Sequence, residues 1–379
     1  MRRTSLVLVI VLTFVVLAPL PTRAQEGSPP QGSASAVLDF PRDHRLHQDD
    51  PRMNDHYIEW LYFTGILRDE DARMWGYQVT LWQMRLPLAP QDIFVYDVAL
   101  SDVTHSRHLA RRAMPDFSTL EPLGTVAQDG PIWRYEAPTL SIVHDEDADV
   151  WQLDVRPAPS LDATGDDDGN FALQLTLHND KLDYYTQIPG GLGPIGGCEH
   201  DLATLDGYTY YYSHPALSTT ATLTRSEQTL TLHGDTWFDH QWGNFNHCQL
   251  AWNWFSFRLD DGGYVMIFHT LDAQGEPIPD LVGMTHIDPQ SGDMHYWYGD
   301  NTLSARPLRY WQDPQSNIQY PVVWELQTPI GAFGVLPLFD SQAMPTSHQP
   351  YWEGMISVRE GGLTGAEVGL GYLEVTRPR

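Results

Sequence analysis

The stretch LAWNWFSFRLDDGGYVMIFHTL, Leu250 to Leu271, is two runs of aromatic and aliphatic residues hinged on Asp260-Asp261-Gly262-Gly263. A short acidic and glycine-rich turn between two such runs is the pattern of an antiparallel hairpin. A second hairpin stands upstream, with YIEWLYFTGIL from Tyr57, a polar turn at Arg68 to Arg73, and MWGYQVTLWQM from Met74. Similar short runs recur as DVWQLDV, FALQLTLH, TLTLHG, PVVWELQT and GLGYLEVT. Thirty Gly, 28 Pro and no long 3.6-residue period leave little room for helices. The chain reads as all-β, an antiparallel sandwich or barrel rather than a βαβ fold.

The N-terminus carries an address. Arg2 and Arg3 precede an apolar run from Leu6 to Leu20, and Thr22-Arg23-Ala24 offers a small residue at a cleavage edge. Residues 1–24 therefore read as a secretory signal peptide, with the mature chain beginning near Gln25 in the periplasm or outside the cell. A membrane anchor is the competing reading, but the run is short for a span and no second apolar stretch of about 20 residues follows. No stable membrane insertion is expected after signal removal. Loss of Arg2, Arg3 and Arg23 leaves 19 basic against 49 acidic residues, a net charge of −30 in place of −27. That balance argues against nucleic acid and anionic lipid surfaces as partners.

QEGSPPQGSAS, residues 25–35, is a polar linker without a core-forming pattern. The Gly-rich segment Ile188 to Asp201 reads as a crossing between two strand-rich halves, which sets domains at 36–204 and 205–379. Its Gly191-x-Gly193-x-x-Gly196 spacing has Pro194 inside and no helix after it, so it does not read as a dinucleotide fingerprint. Cys198 and Cys248 could pair in an oxidising compartment, closing a loop worth roughly 3 to 5 kcal/mol. Two buried thiols are equally compatible with the sequence.

Within WFDHQWG, Trp237 to Gly243, an acid and an imidazole stand side by side among aromatic residues. On a strand, alternate side chains share a face. Phe238, His240 and Trp242 then point one way, and Trp237, Asp239 and Gln241 the other. A carboxylate that orients His240 is thus expected from another strand. In YIEWLYF, Tyr57, Glu59, Leu61 and Phe63 share a face, which puts Glu59 in an apolar row. Glu353 beside Trp352 repeats the theme of an acid next to an aromatic. A buried carboxyl without a cationic partner has a raised pKa and stays protonated near neutral pH, as a general acid must. The competing reading pairs Glu59 or Glu353 with an arginine such as Arg85 or Arg258, and makes His240 a core histidine bonded to a backbone carbonyl. Trp252 and Trp254, two apart on one strand, suit either a core or a site for an apolar ligand. Standard nucleophile, zinc and P-loop signatures are absent. His105-x-x-His108 and Cys198 to Asp201 hold ligand-type residues without a second pair at metal spacing, so neither metal nor cofactor is expected.

FPRDH (40–44), EWLYFTG (59–65), YYYSHP (210–215), WFDHQWG, WNWFSF (252–257), YWEG (351–354) and GLGYLEVT (369–376) occur in this order. Together they resemble the secreted carotenoid 1,2-hydratase (hydroxyneurosporene synthase) family, which includes lipocalin-like proteins labelled predicted secreted hydrolases. The resemblance covers about residues 39 to 379 and implies two lipocalin-like, calycin-type antiparallel β-barrels with a site for a hydrophobic small molecule. It implies catalytic roles for His240 and Trp242. Leu61 stands where a second Trp is common, and the family's downstream Tyr and Asp have no clear match at Asp260, Asp261 or Tyr264. The expected chemistry is acid-catalysed addition of water to a C=C bond of an isoprenoid-like substrate. Glu59 or Asp239 would be the acid, Trp242 and Trp60 would face the carbocation, and His240 would handle the water. Tyr62, Trp252, Trp254, Trp352 and Glu353 are the expected ligand contacts. A non-catalytic carrier of an apolar lipid or isoprenoid is the alternative.

Overall fold

The computed structural model describes residues 38–48, 57–85, 92–115, 122–158, 170–195, 207–225, 227–244, 251–272, 274–299, 301–344 and 350–376. The expected signal peptide and linker, Cys198 and Cys248 lie outside them. The chain begins with β1 (Tyr57–Arg68), β2 (Met74–Arg85), β3 (Ile93–Asp102) and β4 (Arg107–Ala113). Then come β5 (Thr125–Asp129), β6 (Ile132–Glu136), β7 (Leu140–Asp145), β8 (Val150–Val155) and β9 (Ala172–His178). Two short strands, β10 (Tyr185–Thr186) and β11 (Leu192–Ile195), precede the long β12 (Gly207–Arg225) and β13 (Gln228–Asn244). The remainder is β14 (Ala251–Leu259), β15 (Tyr264–Leu271), β16 (Pro277–Ile287), β17 (Met294–Tyr298) and β18 (Ser304–Gln312). It closes with β19 (Gln319–Thr328), β20 (Gly331–Pro337), β21 (Tyr351–Glu360) and β22 (Glu367–Thr376).

Every strand pairing is antiparallel, as the hairpin pattern requires. The first sheet runs β4-β3-β2-β1-β13-β12-β9-β8-β7-β6-β5, with β10 and β11 also on β12; the second runs β17-β16-β15-β14-β22-β21-β20-β19-β18. Each curls around its own core. Phe63, Val79 and Val98 from one end of the first sheet pack with Ile142, Leu153 and Leu175 from the other. Phe255, Ile267, Trp324, Ile356 and Leu373 do the same in the second. The molecule is all-β, built of two lipocalin-like antiparallel barrels.

The change of sheet falls between Asn244 and Ala251, not at 204/205. β12 and β13 belong to the first barrel because β13 pairs with β1 along eleven residues, Ile58↔Gly243 to Arg68↔His233. The Gly-rich segment is therefore not the crossing: Leu192 to Ile195 pairs back onto β12 within the first sheet.

A third apolar cluster joins the barrels back to back. Tyr62, Tyr211 and Trp237 from the outer face of the first meet Trp254, Met266, Met355 and Tyr372 from the outer face of the second. The Tyr372 hydroxyl donates to the carbonyls of Tyr77 (3.1 Å) and Gly65 (3.3 Å) across this seam. Glycine permits the approach: a Cβ on Gly76 would stand 2.3 Å from Met355 Sδ and 2.5 Å from the Tyr372 hydroxyl.

Gly243, the last residue of WFDHQWG, faces a harder limit. Its Cβ would lie 2.0 Å from the backbone oxygen of Tyr208, and that oxygen cannot yield without disturbing the β12–β13 pairing. Gly243→Ala should lower stability by about 1–3 kcal/mol, read as a reduced urea midpoint. An unchanged midpoint would mean that the ladder has slack at this point.

Candidate active site

The antiparallel pair β1–β13 forms a wall with one face inside the first barrel and the other against the second barrel. Period two distributes the candidate residues between these faces. Glu59, His240 and Trp242 point inward, and Trp60, Tyr62 and Asp239 point outward. The expected site thus divides into two clusters.

Inside the first barrel, His240 Nε2 is 2.7 Å from Glu59 Oε1, so the orienting carboxylate does come from another strand. His47 Nδ1 is 2.6 Å from the same oxygen. Glu59 Oε2 accepts the backbone N–H of His47 (2.9 Å) and the hydroxyl of Tyr57. Burial would raise the Glu59 carboxyl, but the charge of His47 and hydrogen bonds from both imidazoles pull it down to about 2. Burial likewise opposes a charge on His47, yet Glu59 and Asp43 raise it to about 9. His240 is lowered, chiefly by burial. With Glu59 ionised, the His240 hydrogen resides on Nε2, which leaves Nδ1 to meet the Tyr212 hydroxyl at 3.1 Å. Trp242 is sandwiched between the rings of His47 (4.2 Å) and Tyr210 (5.0 Å).

This arrangement overturns three readings. Glu59 is an ionised partner of two histidines, not a protonated acid, and its cationic partner is the His47 imidazole rather than an arginine. Arg85 reaches Asp92 and Arg258 reaches Asp235. His240 is bonded to Glu59 and Tyr212 rather than to a backbone carbonyl.

Between the barrels the chemistry is opposite. Asp239 Oδ1 accepts from Trp237 Nε1 (2.6 Å) and the Ser213 hydroxyl, and Oδ2 accepts from Tyr211 (2.7 Å). Burial lifts its pKa to about 7 against those three bonds. Across the seam, Tyr62 donates to Glu353 Oε1 at 2.8 Å, while the buried Oε2 of Glu353 has no partner among the described residues. Burial first, and then the nearby Glu374, push Glu353 well above the usual carboxylate range. Glu374 accepts the Trp252 indole N–H at 2.9 Å and is raised by burial to about 7. Trp254 joins the two sides: its indole donates to the Tyr211 hydroxyl at 3.0 Å, and its ring meets that of Tyr62 edge-on at 5.2 Å. A cleft of about 360 Å³ is lined by Trp237, Tyr372, Ile66 and Ser256, with Arg258 and Asp235 also on its wall. Its volume falls in the range of small-molecule sites, about 300–1,000 Å³, and Asp239, Glu353 and Glu374 are not part of its lining.

Asp239, Tyr62, Trp252, Trp254 and Glu353 therefore converge between the barrels. Trp60 is on this outer face but packs on Trp82 at 5.0 Å, and it cannot share a pocket with the inward Trp242. Trp352 is not beside Glu353 in space: alternation sends it into the second core, with its indole donating to the Asp340 carbonyl at 2.7 Å. Sequence reasoning missed Glu374, Tyr211 and Ser213, although the period-two rule applied to GLGYLEVT and YYYSHP would have found them. His47 carries no comparable local signal, because its role depends on a non-strand segment lying against β1 and β13. The ligand-type residues His105 and His108 make local contacts: His105 Nδ1 meets Asp102 at 2.7 Å and His108 Nδ1 meets the Ser101 hydroxyl at 2.9 Å.

The profile of the AttH-like family matches residues 31–377. The chain belongs to the AttH-like family. This agrees with the resemblance to hydratase-type lipocalin-like proteins drawn from the motifs. No curated protein matches the chain in sequence. A crystal structure of a Nitrosomonas europaea protein assigned as AttH superposes with a TM-score of 0.69 at 24% identity, covering 91% of this AttH-like chain and 99% of that one. Kievitone hydratase from Nectria haematococca superposes with a TM-score of 0.65 at 13% identity, covering 94% and 98%. At such identities the likeness speaks for the fold.

The inner cluster has a pH signature. The raised His47 contributes stability that is complete below about 6.5 and lost as pH rises through about 9. The depressed Glu59 contributes stability present above about 4.5 and lost as pH falls through about 2. Glu59→Gln should cost about 3–5 kcal/mol, with the deficit greatest between these windows, and His47 should titrate well below 9 by NMR. A His47 titration unmoved by this substitution would refute the pairing.

Proposed function

We propose that this chain is a hydratase-type enzyme that adds water to a C=C bond of an apolar, isoprenoid-like small molecule between its two barrels. The observation that carries the reading is the set of three buried carboxyls, Asp239, Glu353 and Glu374, all shifted toward their protonated forms and bordered by Trp237, Trp252, Trp254, Tyr62 and Tyr211. An alkene is a weak base and needs an undissociated acid. Aromatic faces stabilise the resulting carbocation.

In this reading Glu353 is the acid, since its Oε2 is buried and unpartnered and so carries a proton that no protein group claims. The proton goes to one alkene carbon and leaves the other as a cation. Water adds to the cation, and the oxonium proton returns to the Glu353 carboxylate, which restores the acid. The net change is addition of one water. Asp239, with a pKa near 7 and three donors, is partly ionised at neutral pH and can hold the attacking water. Export is part of the proposal, with the mature protein beginning near Gln25 in the periplasm or outside the cell, where hydrophobic small molecules would reach it.

Incubation with host isoprenoid extract in ¹⁸O water tests it. The expected product is heavier by one labelled water, and Glu353→Gln and Asp239→Asn should each reduce its formation about 10²–10⁴-fold with the fold retained. Because the acid must be protonated, the rate should fall as pH rises above the pKa of Glu353. A bound apolar molecule that emerges unaltered would instead make the protein a carrier.

A further inference from the structure

The inner cluster holds more ligand chemistry than the proposed reaction uses. His47 Nδ1, His240 Nε2 and a Glu59 oxygen are the ligand atoms of a buried group, all within 4.8 Å of one another. We infer that His47, Glu59 and His240 form a binding site for one first-row divalent cation of the zinc type inside the first barrel. The inference is independent of the hydratase reading, which places its chemistry on the other face of β1 and β13.

Two imidazoles and one carboxylate form a donor set suited to zinc and its neighbours. The outer contacts have the form that holds metal ligands in place. His47 Nε2 is 3.3 Å from Asp43 Oδ1, a carboxylate behind a histidine. His240 Nδ1 is 3.1 Å from the Tyr212 hydroxyl, which itself donates to the Asp43 carbonyl at 3.0 Å. Glu59 Oε2 is occupied by the His47 backbone N–H and by Tyr57, so Oε1 is the atom left to face both imidazoles. All three candidate ligands therefore have their second polar atom fixed by the protein.

The proton inventory closes. The ion replaces the hydrogen on His47 Nδ1, which is released, and His47 keeps its Nε2 hydrogen toward Asp43. On His240 the hydrogen moves from Nε2 to Nδ1, where the Tyr212 oxygen accepts it. Each ion bound thus frees about one proton. Ligand atoms about 2.0–2.2 Å from zinc stand about 3–3.5 Å apart, so the 2.6 and 2.7 Å contacts on Glu59 Oε1 open by about half an ångström. Because His47 lies in the segment Leu38–Gln48 while Glu59 and His240 lie on β1 and β13, the ion would tie that segment to the barrel wall.

The experiment loads full-length mature protein with Zn²⁺, removes free metal by desalting, and measures retained zinc by elemental mass spectrometry. One zinc per chain is expected, with about one proton released in calorimetry run in buffers of different ionisation enthalpy. Asp43→Asn, which leaves all three ligands in place, should weaken binding about 10–100-fold. Glu59→Gln should abolish it, and His269→Ala, in the second barrel, should leave it intact. If Glu59→Gln does not fold, Co²⁺ titration of the unaltered protein supplies the readout through the visible absorption of histidine-coordinated cobalt. No retained zinc and no cobalt spectrum, or equal retention in Glu59→Gln and the unaltered protein, would overturn the site.

Discussion

The structure depends on one constraint: successive side chains of a strand point to opposite faces, and β1 and β13 have a buried environment on both. In most antiparallel sheets one face meets water and takes the polar residues. Here the inner face closes the first barrel and the outer face packs on the second. Polar residues placed on either side of this wall must therefore find partners inside the protein. That requirement turns EWLYF and WFDHQWG from packing segments into two chemically distinct sites.

The two faces resolve burial in opposite ways. On the inner side Glu59 receives two imidazoles and a tyrosine, so ionisation is stabilised and His47 becomes its counter-charge. On the outer side Asp239, Glu353 and Glu374 are supplied with hydroxyl and indole donors but, among the described residues, with no histidine or lysine, and burial drives them toward neutral acids. Donors alone lower a carboxyl pKa, but less than burial raises it at these positions. A pair of adjacent residues, Asp239 and His240, thus serves two separate environments, and their proximity in sequence has no counterpart as a side-chain contact.

Much of this was legible beforehand. The hairpins at Asp260 to Gly263 and Arg68 to Arg73, the all-β class, and the opposite faces of Asp239 and His240 all follow from period-two reasoning. The barrel boundary did not, because β12 and β13 differ in no compositional way from the strands of the second barrel; only their pairing with β1 and β9 assigns them. Trp352 was misplaced by adjacency to Glu353, where alternation should have separated them. The partners of Glu59 could not be inferred because His47 approaches from a segment with no periodicity. Glu374 was accessible in principle: it shares a face with Tyr372, and the same count that exposed Asp239 exposes it.

The central claim is that Glu353, between the barrels, is a neutral acid at neutral pH while Glu59 is ionised. Infrared difference spectroscopy of protein with ¹³C-labelled glutamate carboxyls, titrated through neutral pH, reads the C=O stretch of the protonated form directly. The account predicts a protonated band at pH 7 that weakens in Glu353→Gln to the part carried by Glu374 and is unchanged in Glu59→Gln. Absence of that band at pH 7, or its loss in Glu59→Gln alone, would contradict it.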